Sequence, residues 1–264
     1  MKLPPDLQST PENALAMTPY EQFKDECAAE ITAQGGDREL AQATREWMNR
    51  AQARKYCYHF EWLGRPIIQY PQDIVAVQEL IWRIKPDLII ETGIAHGGSL
   101  ILSASILELL AVCGEGDGEV LGIDIDIRAH NRAAILAHPL ARRIRMLQGS
   151  SVDPAIVAQV RALTAGRRRV LVFLDSNHTH EHVLAELEAY GPLTSVGSYC
   201  VVFDTVIEDL PAGATPDRPW GKGNNAKTAV WHWLRTNPGF RIDRSIENQL
   251  LVTVAPDGFL ERVA

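Results

Sequence analysis

The chain has 264 residues, 46% hydrophobic and 22% charged, which is enough apolar material for one full-sized core and a small appendage. Its 26 Lys and Arg against 33 Asp and Glu leave a formal charge of -7, so no broad positive field draws it onto nucleic acid. There is no membrane-spanning apolar run and no signal-peptide pattern, and Cys27, Cys57, Cys113 and Cys200 lie far apart with no CxxC spacing, so a soluble, reduced, cytoplasmic protein is expected.

Residues 1–19 are rich in proline and polar side chains and are expected to form a flexible arm. A helical cap is expected over 20–60, with helices at 20–34 and 37–55 separated by Gly35-Gly36, because Leu40, Trp47 and Met48 recur at helical intervals. Such a cap suits an oligomer contact, and a homo-oligomer is expected. The remaining residues, 61–264, read as one domain.

From Pro71 short apolar segments alternate with helical ones, the pattern of an α/β fold with a mostly parallel sheet covered on both faces. Strands are expected at 87–91 (DLIIE), 120–124 (VLGID), 144–147 (IRML), 170–175 (VLVFLD) and 199–204 (YCVVFD). Helices are expected at 100–112, 153–163, 181–190 and 227–235. Glu91, Asp124, Asp175 and Asp204 each end a strand in this reading. Ligands bind outside the carboxyl ends of such strands, so the four acids should converge on one rim.

Glu91-Thr92-Gly93-Ile94-Ala95-His96-Gly97-Gly98-Ser99 is a glycine-rich turn opening onto an apolar helix, which lets a ligand approach the backbone. It lacks the G-x-G of a dinucleotide fingerprint, and the preceding acid would repel pyrophosphate. A carboxylate there suits a cofactor carrying an ammonium and a sulfonium instead. Asp124 is placed for ribose hydroxyls, and Ser150 and Ser151 for the adenine edge. Glu91, Thr92, Gly93, His96, Gly97, Ser99, Asp124, Ser150, Ser151 and Asp175 are thus the candidate cofactor residues.

The strings ETGIAHGGS, GIDIDIRAHNR, LDSNHTHEHV, VVFDTVIED and PWGKGNN, in this order, resemble the cephalosporin hydroxylase and rhamnosyl O-methyltransferase family of S-adenosylmethionine-dependent proteins. The resemblance spans residue 56 to the carboxyl end. It implies a Rossmann-like class I methyltransferase fold, a divalent metal in some members, and small-molecule or glycolipid acceptors. A sugar, nucleotide sugar or glycoside hydroxyl is the expected acceptor, and such a hydroxyl needs a Lewis acid or a base to react at neutral pH. Asp175 and Asp204 are the candidate ligands for Mg²⁺. Antibiotic-pathway relatives have Glu-Asp where this chain has Phe203-Asp204, and Phe203 cannot bind a metal, so Thr205, Asn177 or Glu208 is expected to complete the shell.

His178, in the loop after Asp175, is the candidate base, with Asp175 beside it, whereas His180 and His182 enter the next helix. A zinc site fits this histidine spacing poorly. The Pro- and Gly-rich segment 211–225 resembles an active-site lid, with Trp220, Lys222, Asn224 and Asn225 as acceptor-binding candidates. Arg65, Gln69-Tyr70 and the aromatics at 56–58 suit the opposite wall. Two rival functions remain at this stage: a nicotinamide-dependent oxidoreductase, and a non-catalytic partner that keeps the cofactor fold.

Overall fold

The computed structural model describes residues 17–264. Of the expected arm, residues 1–16 lie outside the described residues. Thr18 caps the first helix, α1 (Pro19–Gly36), in a capping box closed by Glu21. The expected break at Gly35-Gly36 falls instead at Asp37, because α1 runs through both glycines and the Asp37 carboxylate accepts the Leu40 N–H to start α2 (Arg38–Gln52). α1 buries none of its residues and α2 buries only Met48. Gln34 anchors the end of α1 by donating to the Asn248 carbonyl at 2.6 Å. A 3-10 turn, Tyr56–His59, then leads into a hairpin of β1 (Phe60–Trp62) and β2 (Arg65–Ile67).

The main sheet follows, in chain order α3 (Pro71–Ile84), β3 (Leu88–Thr92), α4 (Gly98–Val112), β4 (Glu119–Asp124), α5 (Ala129–Leu136), β5 (Ile144–Gln148), α6 (Pro154–Thr164), β6 (Val170–Leu174), α7 (His180–Tyr190), β7 (Tyr199–Val202), α8 (Ala226–Leu234), β8 (Phe240–Ile242), α9 (Arg244–Leu250) and β9 (Phe259–Arg262). The strand order is β5-β4-β3-β6-β7-β9-β8. The five strands from β5 to β7 are parallel to their neighbours, while β9 runs antiparallel to both β7 and β8. Ile89, Leu171, Phe173 and Val201 face one core layer, with α3 and α4. Ile90, Val172, Leu174 and Val202 face the other, with α6, α7 and α8. Residues of β3, β6 and β7 are buried on both faces, which accounts for their unbroken apolar runs.

Three features depart from the expectation. β6 and β7 stop at Leu174 and Val202, so Asp175 and Asp204 lie in the loops beyond rather than on the strands. β8 and β9 carry no long apolar run because β8 is the sheet edge, with Arg241 exposed, and β9 ends on Glu261-Arg262. The hairpin β1 and β2 sits where only an aromatic wall was expected. Among the described residues no helix is long and apolar enough to cross a membrane.

Chain order brings β3 to β4 and β5 on one side, and then crosses back to place β6 on the other side of β3. The carboxyl ends of β3 and β6 therefore open a crevice at a topological switch point. Beneath it, the first turn of α3 carries Asp73, which is wholly buried and accepts hydrogen bonds from the Thr253 hydroxyl and the Val254 N–H. These ties fasten α3 to the segment before β9.

Burial pushes the Asp73 carboxyl up to about 7, its two donors opposing. A folded pKa above the unfolded value of about 4 means that the native chain holds a proton that the unfolded chain has lost. Stability is therefore full below about pH 4 and falls as pH rises toward 7. Calorimetry should show a higher melting temperature near pH 5 than near pH 8, and Asp73→Asn should flatten that slope. The variant amide can donate to the Thr253 oxygen and accept from Val254, which keeps the contact.

Candidate active site

The crevice is a cleft of about 340 Å³ whose floor is the glycine turn 93–99 and whose far wall carries Asp175, Ser176, His178 and Asp204. Gly93 has φ of 90°, and a Cβ on it would stand 2.0 Å from the Asp175 carbonyl oxygen. Only glycine lets β3 turn flat against the start of the β6 loop. Five hydrogen bonds further hold the turn. Asp124 accepts the Ile94 N–H at 2.8 Å and the Ala95 N–H at 3.3 Å, Asn131 donates to the Ala95 carbonyl, and Arg65 donates twice to the His96 carbonyl. Arg65 also donates to Asn131, so hairpin and α5 grip the turn jointly.

α4 starts at Gly98, its N-cap Gly97 provides no side-chain cap, and Gly97, Gly98 and Ser99 line the cleft. The unpaired N–H groups of its first turn thus lie at the floor. Glu91 lies below, 3% exposed, where it accepts from the Ser99 hydroxyl. Burial pushes its carboxyl up to about 7, with Ser99 opposing. Thr92 is fully buried, and its carbonyl accepts the Asp175 N–H, so it supports the floor without facing the cleft.

On the far wall, His178 Nε2 lies 3.0 Å from Asp204 Oδ2, and Asp175, His178 and Asp204 offer ligand atoms all within 4.8 Å of one another. Burial, joined by the negative charges of Asp204 and Glu91, holds the Asp175 carboxyl well above its ordinary range. Burial pushes Asp204 up too, but the His178 imidazole and Arg218 outweigh it and hold Asp204 below its ordinary value. Two carboxyl groups so close cannot both ionise freely, and a divalent cation between them would relieve that repulsion. Trp220 meets the His178 ring edge-on at 4.7 Å and fixes its plane.

The expected third metal ligands are all committed elsewhere. Thr205 donates to the Pro256 carbonyl, Asn177 accepts from Thr179, and Glu208 accepts from Gly223 and Asn225. The third residue of the cluster is His178, and its i, i+3 relation to Asp175 is the signal for it in the sequence.

Of the lid candidates, Trp220 reaches the cleft but Lys222, Asn224 and Asn225 do not. Lys222 is exposed, and Asn224 donates to the Pro219 carbonyl and accepts the His180 N–H. Asn225 is fully buried as the N-cap of α8, where it also donates to Glu208. The lid instead presents Thr215 and Arg218, whose guanidinium lies 5.3 Å from the Trp220 ring centre. Ser150 and Ser151 also lie off the cleft. Ser151 is buried against His182 and Tyr190, and the Ser150 carbonyl accepts the Asp153 N–H. Gln69, which sequence named only as part of a wall, donates to Asp175 Oδ2 at 3.3 Å.

The model of the family described as "Rhamnosyl O-methyltransferase/CmcI" matches residues 54–263. Among similar curated proteins, "Rhamnosyl O-methyltransferase" of Mycobacterium tuberculosis (strain ATCC 25618 / H37Rv) is 32% identical over 195 residues, 72% of this chain and 73% of its own. "Rhamnosyl O-methyltransferase" of Mycobacterium leprae (strain TN) is 29% identical over 209 residues, 76% of this chain and 82% of its own. Among solved structures, "CmcI-N160 apo-structure" gives a TM-score of 0.54 at 21% identity, covering 78% of this chain and 77% of that one. "cmcI-D160 Mg-SAM" gives 0.52 at 20% identity, covering 78% of each. These two agree on the class I methyltransferase fold.

Gly93→Ala combines a left-handed backbone penalty with a clash against immovable backbone. A loss of about 2–5 kcal/mol is expected, read as a lowered melting temperature. Gly64→Ala, at φ of 82° in open space, should lose only about 1–2 kcal/mol. Equal losses in the two variants would show that the contact with Asp175 carries no weight.

Proposed function

The chain belongs to the Rhamnosyl O-methyltransferase/CmcI family of S-adenosylmethionine-dependent O-methyltransferases, and from that premise we propose that it methylates a hydroxyl of a sugar or glycosylated small molecule, assisted by Mg²⁺. The observation that carries this reading is the cluster of Asp175, His178 and Asp204 facing the glycine turn across one cleft. It sets an oxygen-activating group opposite a cofactor floor. The family relatives named for rhamnosyl groups support a deoxysugar acceptor.

When bound, S-adenosylmethionine supplies an electrophilic methyl group and Mg²⁺ supplies positive charge beside the acceptor oxygen. The donor set fits such an ion, since two carboxylates that repel one another are hard oxygen ligands with room left for water and substrate. The floor also fits a cationic donor. Glu91 beneath it and Asp175 on the facing wall are carboxyls held up by burial, so a cationic ligand would favour their ionised forms, and residues of the turn line the cleft.

The remaining chemistry belongs to the chain. Asp175 and Asp204 would hold the metal, while Asp204 accepts the His178 Nε2–H and orients the ring, leaving Nδ1 as the nitrogen that takes the acceptor hydroxyl proton. Trp220, edge-on to His178, offers its face to the apolar side of a sugar ring. Asp124 holds the turn and keeps spare lone pairs for a ribose hydroxyl, since a carboxylate can accept about four bonds. Arg218 and Thr215 close the lid side.

Incubation with S-adenosylmethionine, Mg²⁺ and rhamnosyl or related glycosides should add one methyl group to an acceptor hydroxyl, read by mass spectrometry. S-adenosylmethionine should raise the melting temperature and NAD should not. Equal stabilisation by NAD would favour an oxidoreductase.

Chelation should abolish turnover while donor binding persists, and Mg²⁺ should restore it. His178→Ala should lower kcat about 10²–10⁴-fold with little change in donor affinity and a lost acidic limb in the pH profile. A variant retaining full kcat would remove His178 from proton transfer.

A further inference from the structure

Gln69 lies at the end of the hairpin segment, 5% exposed, between the cleft and a smaller cavity behind the Asp175 wall. Its amide donates to Asp175 Oδ2, yet its Oε1 is buried with no protein partner. Ser103 has the same defect: it is 1% exposed on α4, one turn beyond Ser99, and its hydroxyl is also unpartnered. Both residues line the small cavity, together with Glu91 and Asp175. A buried amide oxygen and a buried hydroxyl each cost about 1–3 kcal/mol if left unpaired, so two in one cavity call for a shared partner.

The cavity measures about 20 Å³, which is room for one water molecule, and apart from Ser99 its remaining wall is apolar, with Ile67, Val77 and Phe173. We propose that this cavity is a structural water site and that Gln69, held by that water and by Asp175 together, is the residue that orients the Asp175 carboxylate toward the cleft. The water donates to Gln69 Oε1 and bonds the Ser103 hydroxyl. That contact fixes the direction of the amide, so the Gln69 N–H can point only at Asp175.

The arrangement also explains why Gln69 faces Asp175 with its amide nitrogen. A carbonyl oxygen there would be repelled once Asp175 ionises beside a bound cation, whereas the donor end suits that state. Glu91 borders the same cavity, so the water joins the floor of the cofactor side to the metal side through neutral dipoles. Gln69 is thus a positioning residue acting through Asp175. Its link to metal binding rests on the reading of Asp175 as a Mg²⁺ ligand given above.

The test compares the full chain with Gln69→Leu, which keeps the volume but removes both polar atoms, and with Ser103→Ala. A crystal structure of the wild type should show a water within hydrogen-bond distance of Gln69 Oε1 and Ser103 Oγ. Gln69→Leu should lose that water and turn the Asp175 carboxylate. Mn²⁺ binding, followed by electron paramagnetic resonance, should weaken about 10–100-fold in Gln69→Leu and less in Ser103→Ala, while S-adenosylhomocysteine affinity changes far less. No water density in the wild type, or an Asp175 that keeps its orientation in Gln69→Leu, overturns the inference. If the wild type itself binds no Mn²⁺, the metal reading fails, and the water and the Asp175 orientation still decide the role of Gln69.

Discussion

The contact between Gly93 and the Asp175 backbone is the constraint on which the rest of the site depends. At the switch point β3 and β6 leave the sheet side by side, and their following loops must diverge without separating. A side chain at Gly93 would force them apart. With none, the glycine turn lies against the loop that carries Asp175, Ser176 and His178, and one wall of the cleft is fixed to the floor. Arg65, Asn131 and Asp124 then hold the outer side of the turn, so the floor is bound from three directions. Such a floor needs little reordering when a ligand arrives, which lowers the entropic cost of binding.

The second organising feature is the concentration of buried carboxyl groups at one end of the sheet. Asp73, Glu91, Asp175 and Asp204 influence one another electrostatically, and burial raises the first three. Nearby cations are few, with His178 and Arg218 acting only on Asp204. A protein that keeps several buried carboxyls with so little compensation is poised for positive ligands, because these would supply the missing charge. The sheet and the cleft chemistry are therefore coupled through the same residues.

Much of this could be read from the sequence because it was local. The string ETGIAHGGS carries a buried strand, a turn that needs glycine and a helix start within nine residues, and its period changes at the expected place. Asp175 and His178 are likewise separated by one short loop. What escaped was non-local. Nothing near Arg65 announces that it grips the His96 carbonyl, and nothing near Gln69 announces a partner 106 positions away. The lid misled for a different reason. Lys222, Asn224 and Asn225 have the chemistry of ligand donors, but Asn225 directly precedes α8, where an amide is worth more as a cap.

The base of that lid has a consequence for how this protein can diversify. Lys227, in the first turn of α8, bonds Asp209 and Asn225, its N-cap, bonds Glu208, so the two ends of the loop are clasped together where α8 begins. Everything between the clasps hangs from a ring closed at its base, where Gly221 and Gly223 add bonds to Asn225 and Glu208. Lengthening or rewriting the ring outside Arg218, which acts on Asp204, and Trp220, which packs on His178, leaves the sheet and the glycine turn untouched, and the entropy of a longer ring rises only slowly with its length. The outer part of the ring can thus change in a lineage as an interchangeable module, while the sheet and the glycine turn beneath it are inherited intact.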